Sequence, residues 1–197
     1  LTNHKKFGED LAILAGDALF LDPFGMIAAS ALPDAVKVSL ILELSDASGS
    51  RGMVAGQVLD MEGEHKQLTL AELQTIHANK TGRLLAYPFI AAGLILELQA
   101  DIGRLLEKIG KKLGLAFQVR DDILDLVADF EALGKTPQKD LVAEKSTYPA
   151  LLGLEESKAL LTSELDACED LLDQITAACD FDPRAIKKLI EGLRIDG

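Results

Sequence analysis

The run "DIGRLLEKIGKKLGLAFQVRDDILDLVADF", Asp101 to Phe130, constrains the fold more than any other stretch. It contains no proline and reads as one helix of about 25 residues. Projected at about 100° per residue, Gln118, Asp121, Asp122, Asp125 and Asp129 share an arc of about 100°. Leu115, Phe117, Val119, Ile123, Leu124, Leu126 and Val127 fill the remainder, with Arg120 the polar exception. A surface helix carries a wide face of mixed sign, whereas this one is apolar nearly all round except for one acidic stripe. Such a helix has to be packed among others, with the stripe turned inward.

The rest of the chain offers it helices to pack against. No stretch alternates apolar and polar residues long enough to suggest a sheet, so the fold class expected is all-α. Asn3 to Ser30 is a long apolar stretch that Pro23 should kink or break. The next helical stretch starts near Pro33 and is weakened in its middle by Gly49 and Gly52. After the polar connection Glu62 to Gln67, Thr69 with Glu72 three residues later forms a capping-box signature. Pro88 should interrupt the helix that follows. Glu131 to Pro149 reads as a long loop, and helices over Leu154 to Ala178 and Pro183 to Leu193 close the chain. The architecture expected is a single domain, residues 1–197, built as an antiparallel bundle of long helices.

Charge and composition exclude some functions. The 197 residues carry a formal net charge of −12, and no basic stripe exists that could displace counterions, so nucleic acid is not an expected partner. No uninterrupted apolar run reaches the roughly 18 residues of a membrane span, so no integral membrane segment is expected. Cys168 and Cys179, on one helix, would stand about 16 Å apart, too far to bridge, as suits thiols of a reducing cytosol.

An inward acidic stripe repels itself and is costly to desolvate unless cations neutralise it. Carboxylates at i and i+4 suit Mg²⁺, which takes one or two of them, keeps waters and bridges to phosphates. Asp121, Asp122 and Asp125 are therefore candidate metal ligands, with a solvated helix face as the alternative. Lys80 in "HANKTG", Lys135 and Lys139 in "LGKTPQKD", and Lys145 in "AEKSTY" could neutralise an anion sharing that metal. "GKT" looks like the end of a phosphate-binding P-loop, but Asp129 stands where its first glycine belongs and a helix precedes it. Gln57 and Asp60 lie at i and i+3 on one helix face. The three histidines show no metal-ligand spacing, and no Ser or Cys sits beside a base.

The strings "HKKFGEDLAILAGDAL", "GMVAGQVLD", "IHANKTGRLL", "FQVRDDILD", "LGKTPQKDL" and "EKSTYP" occur here in the order seen in the trans-type isoprenyl diphosphate synthases, or polyprenyl synthetases. Over residues 2–153 the chain resembles that all-α family, and most of all its bacterial farnesyl and geranylgeranyl diphosphate synthases. The resemblance implies a prenyltransferase that joins isopentenyl diphosphate to an allylic diphosphate with Mg²⁺ as cofactor. It assigns metal binding to Asp121 and Asp125, with Asp122 an adjacent motif member. It assigns the allylic diphosphate or forming cation to Lys80, Thr81, Gln118, Lys135 and Lys145, and the wall of the reaction chamber to Gln57 and Asp60. Lys80, Thr81, Gln118 and Asp121 are the residues expected to take part in catalysis. A homodimer in the cytoplasm is also implied. The family's first aspartate-rich motif, arginine pair and "G…PTxH" element would lie ahead of Leu1. The chain is accordingly expected to represent the C-terminal two thirds of such an enzyme and to be inactive alone. A non-catalytic partner subunit and a terpene cyclase are the competing readings, and the intact "DDILD", "NKTG" and "GKTPQKD" strings weigh against both.

Overall fold

The computed structural model describes residues 1–133 and 146–195, with backbone alone for 128–133. Among the described residues every regular element is helical. In chain order these are α1 (Asn3–Phe7), α2 (Glu9–Ala29), α3 (Asp34–Ser48), α4 (Met53–Gly63), α5 (Leu70–His77), a π-helical turn (Ala78–Gly82), α6 (Arg83–Ile95), α7 (Ala100–Leu133), α8 (Tyr148–Leu152), α9 (Leu154–Ala178) and α10 (Arg184–Glu191). They group into two compact units, Leu1–Leu42 and Glu43–Gly197, whose boundary falls within α3.

In the first unit, α2 runs 21 residues through Pro23 and buries none of them. Its length and apolar composition would suffice to cross a membrane, because a window of membrane-spanning length admits Asp17 and Asp22. The apolar run is still not uninterrupted, since Asp17 and Asp22 break it, as expected from the sequence. Pro88 likewise lies inside α6 without ending it. Each proline removes one bond of the helical ladder, and the bonds on either side keep the helix continuous. Breaks come instead at residues 30–33, at the Gly49 to Gly52 stretch between α3 and α4, at residues 64–69 and at residues 96–99.

The core lies in the second unit. On α7 the buried hydrophobic positions are Ile102, Leu106, Ile109, Leu113, Ala116, Val119 and Ile123, spaced by threes and fours. On α9 they are Ser157, Leu161, Leu165, Cys168, Leu172 and Ile175, with similar spacing. Two such stripes fit together as neighbouring bundle helices do. Lys112 Nζ donates to Glu164 Oε2 at 3.0 Å and the Cys168 thiol faces the Ile109 carbonyl at 3.9 Å, so numbers fall along α9 as they rise along α7. The two helices are antiparallel. Burial pushes the Cys168 thiol up to about 12, which leaves it a neutral packing group. Both cysteines are free thiols.

Helix α6 packs on another face of α7, also antiparallel, through glycines. Gly114 lies against Gly82, Gly110 against Ala86, and Gly93 against Gly103. A Cβ on Gly114 would come within 2.7 Å of the Gly82 Cα, so this closeness of backbones requires glycine. At 34 residues α7 exceeds the expected length, and with α8 starting at Tyr148 it takes up both ends of the loop expected over Glu131 to Pro149.

The capping box is present. The Glu72 N–H donates to Thr69 Oγ1 at 3.3 Å, and the Thr69 N–H donates back to Glu72 Oε2 at 2.8 Å. Thr69→Ala is expected to cost about 1 kcal/mol, read by thermal unfolding. The backbone hydrogen bond from Thr69, helped by the hydroxyl, holds the Glu72 carboxyl below its ordinary 4.5. The stabilisation is therefore full above 4.5 and lost as pH falls through the lowered value. The melting difference between wild type and Glu72→Gln should accordingly be present at neutral pH and vanish in acid.

Candidate active site

One face of α7 and the stretch from α4 to the π-helical turn enclose a cavity of ≈ 550 Å³. Asp60, Lys80, Thr81, Gln118, Asp121 and Asp122 line it, so six of the residues singled out in the sequence meet there. Gln57 is exposed and does not line it, nor does Asp125, one helical turn beyond Asp121. Lys135, Lys139 and Lys145 lie outside the described residues, as does the side chain of Asp129.

Backbone packing places Lys80. Gly56 of α4 lies so close to the π-helical turn that a Cβ there would stand 2.1 Å from the Lys80 amide nitrogen. Gly82 closes the turn against Gly114 of α7. Lys80 and Thr81 are thus carried on a one-turn widening of the helix pinned from both sides, the kind of π-bulge that recurs at functional sites. The Lys80 ammonium is ion-paired with Asp60, both side chains about one third exposed (35% and 28%). Asp60 thereby points the ammonium at the cavity, and an incoming anion would compete for it.

Asp121 and Asp125 are exposed and Asp122 is half-buried, which corrects the expectation of a desolvated stripe. The stripe faces an open cavity, and Phe117, Leu124 and Val127 of the same helix are exposed as well. Asp122 is tied down, its Oδ2 accepting the Tyr148 N–H at 2.9 Å. Burial foremost, with the carboxylates of Asp122 and then Glu164, pushes the Tyr148 phenol above its ordinary range. It stays protonated at neutral pH and cannot serve as a base.

Glu64, His65, His77 and Ser146 also line the cavity, and none was singled out from sequence for this site. No spacing signal could have found them, since they meet only through the fold. His65 adopts a positive φ of 61°, uncommon for a residue other than glycine, though histidine is among those that tolerate it. The His77 ring packs against that of Tyr148, centroids 5.5 Å apart.

Among the described lining residues four carboxylates (Asp60, Glu64, Asp121, Asp122) face one lysine. By itself that sign repels a diphosphate, and divalent cations would reverse it. No group of three or more metal-type donors occurs among the described residues. An all-protein cage is thus not what these residues form. Exposed carboxylates at 121 and 125 fit Mg²⁺, which takes few protein ligands and keeps room for water and phosphate oxygens.

Comparison with known proteins agrees with this geometry. The sequence profile of the polyprenyl synthetase family matches residues 1–179. A farnesyl diphosphate synthase of Micrococcus luteus is 49% identical over 191 residues, covering 97% of this chain and 66% of that protein. The farnesyl diphosphate synthase of Geobacillus stearothermophilus is 47% identical over 85% of this chain and 58% of its own length. Among solved structures, a geranyltransferase of Helicobacter pylori complexed with magnesium and isoprenyl diphosphate superimposes with a TM-score of 0.78 at 32% identity, covering 98% of this chain and 62% of that one. The chain thus spans less than two thirds of the length of several relatives it matches.

Proposed function

Because the chain belongs to the polyprenyl synthetase family, we propose that the protein it represents is a short-chain prenyltransferase of the farnesyl diphosphate synthase type. Its substrates would be isopentenyl diphosphate and an allylic diphosphate. The observation that carries this reading is the meeting of Lys80, Thr81, Gln118 and Asp121 in one acid-rich cavity beside the exposed Asp125.

In this reading Lys80, released from Asp60, binds diphosphate oxygens, with Thr81 and Gln118 as hydrogen-bonding neighbours. Asp121 and Asp125 hold Mg²⁺, which when bound neutralises charge on the diphosphate and on the departing pyrophosphate. The allylic carbon–oxygen bond breaks, the isopentenyl double bond attacks the resulting cation, and a proton leaves to the pyrophosphate. The contribution of Lys80 is a fixed positive charge where negative charge grows on the leaving group. Lys135 and Lys145 are proposed to join it, and Asp60 to form part of the chamber wall. A single bundle domain, a homodimer and a cytoplasmic location belong to the same proposal.

The test is product formation from isopentenyl diphosphate and an allylic diphosphate with Mg²⁺ by the complete natural protein. Prenyl diphosphate is expected, and product length then names the enzyme. A folded but inactive protein would move the non-catalytic and cyclase readings ahead.

A further inference from the structure

We propose that Asp122 is a positioning residue, whose carboxylate oxygen holds a clasp at 146–148 across the elements that carry the site, and that it does not serve the cation through its charge. The inference deepens the proposed prenyltransferase reading and rests on it.

Asp122 Oδ2 accepts the Tyr148 N–H at 2.9 Å. Two residues earlier, Ser146 Oγ accepts the Leu68 N–H at 3.0 Å and faces the Lys66 carbonyl at 3.3 Å. The fully buried Tyr148 ring lies against His77, the last residue of α5 before the π-helical turn that bears Lys80. One three-residue stretch therefore touches α7 next to Asp121, the 64–69 connection, and the base of the Lys80 turn. Gly114 pins α7 to that turn about two helical turns upstream of Asp121. The clasp pins it again one residue downstream. Gln118 and Asp121, between the two anchor points, face the cavity with their distance to Lys80 fixed from both ends.

A backbone N–H needs an acceptor oxygen, which asparagine keeps, whereas a cation needs the charge, which asparagine lacks. The experiment compares Asp122→Asn, Asp122→Ala and Asp121→Asn in the complete natural protein, reading turnover, the Mg²⁺ concentration for half-maximal rate, and hydrogen exchange at the Tyr148 amide. Asp122→Ala is expected to speed Tyr148 exchange and lower kcat/KM, each by about tenfold or more, the worth of a hydrogen bond to a charged group. Asp122→Asn should restore most of both losses with the Mg²⁺ requirement unchanged, while Asp121→Asn stays impaired. If Asp122→Asn fails as Asp121→Asn does while Tyr148 exchange stays slow, Asp122 acts by its charge and the proposal is overturned. Should Asp122→Ala not fold, the asparagine variant decides alone. A wild type that makes no prenyl diphosphate would sink the prenyltransferase reading separately, and Tyr148 exchange would still decide the clasp.

Discussion

Asp121→Ala in the complete protein is expected to lower turnover by at least about 100-fold, the scale seen when one preorganised group facing developing charge is removed. Folding stability should change by no more than about 0.5 kcal/mol, as for other exposed side chains away from packing contacts. The two halves of this expectation come from one observation: Asp121 lines the cavity and is exposed there. Nothing in the core depends on its carboxylate, so the loss is confined to chemistry. Steady-state turnover with saturating Mg²⁺, measured beside a thermal melt, separates the alternatives. Unchanged turnover would return Asp121 to a solvated helix face and remove the central residue of the proposed site.

Gly56→Ala should damage stability and activity together. Its Cβ would stand 2.1 Å from the Lys80 nitrogen and 2.5 Å from the Lys80 Cα, both backbone atoms that no rotamer change can move aside. Either α4 or the π-helical turn has to shift. Forced overpacking of this kind costs about 1–3 kcal/mol, and a displacement on the order of an ångström can cost about 100-fold in rate. The melting temperature is expected to fall by several degrees, at about 2–4 °C per kcal/mol for a domain this size. Gly103→Ala is the control, because a Cβ there meets nothing within 4 Å. It should be neutral or stabilising, since alanine favours the helix by up to about 1 kcal/mol. A Gly56→Ala protein as stable and active as the control would mean that the contact between α4 and the turn does not place Lys80.

Features decided within a few residues were legible before the fold was known. The Thr69–Glu72 capping box formed as its spacing required, and α9 spans Leu154–Ala178 as expected. Gly49 and Gly52, read as weakening the middle of one helical stretch, in fact separate α3 from α4. The acidic face of α7 was also legible, because helical geometry alone groups Gln118, Asp121 and Asp122, and all three reach the cavity. Pro23 and Pro88 misled, since local strain alone does not decide whether a helix continues past one missing hydrogen bond.

The sequence by itself determined the helical class, the stripes on α7 and α9 that build the core, and the types of charged groups available for chemistry. Tertiary structure alone decided which of them meet. Gln57 and Asp60 share a helix, yet only Asp60 lines the cavity. His77 and Tyr148 lie far apart in the chain and pack ring to ring. Asp121 and Asp122 are neighbours, yet one is exposed and the other is bound to the Tyr148 backbone. Periodicity fixes the direction of a side chain around its own axis, to within the face of a helix. What stands opposite that face depends on how closely other backbones approach, and here glycines at 56, 82 and 114 set that distance.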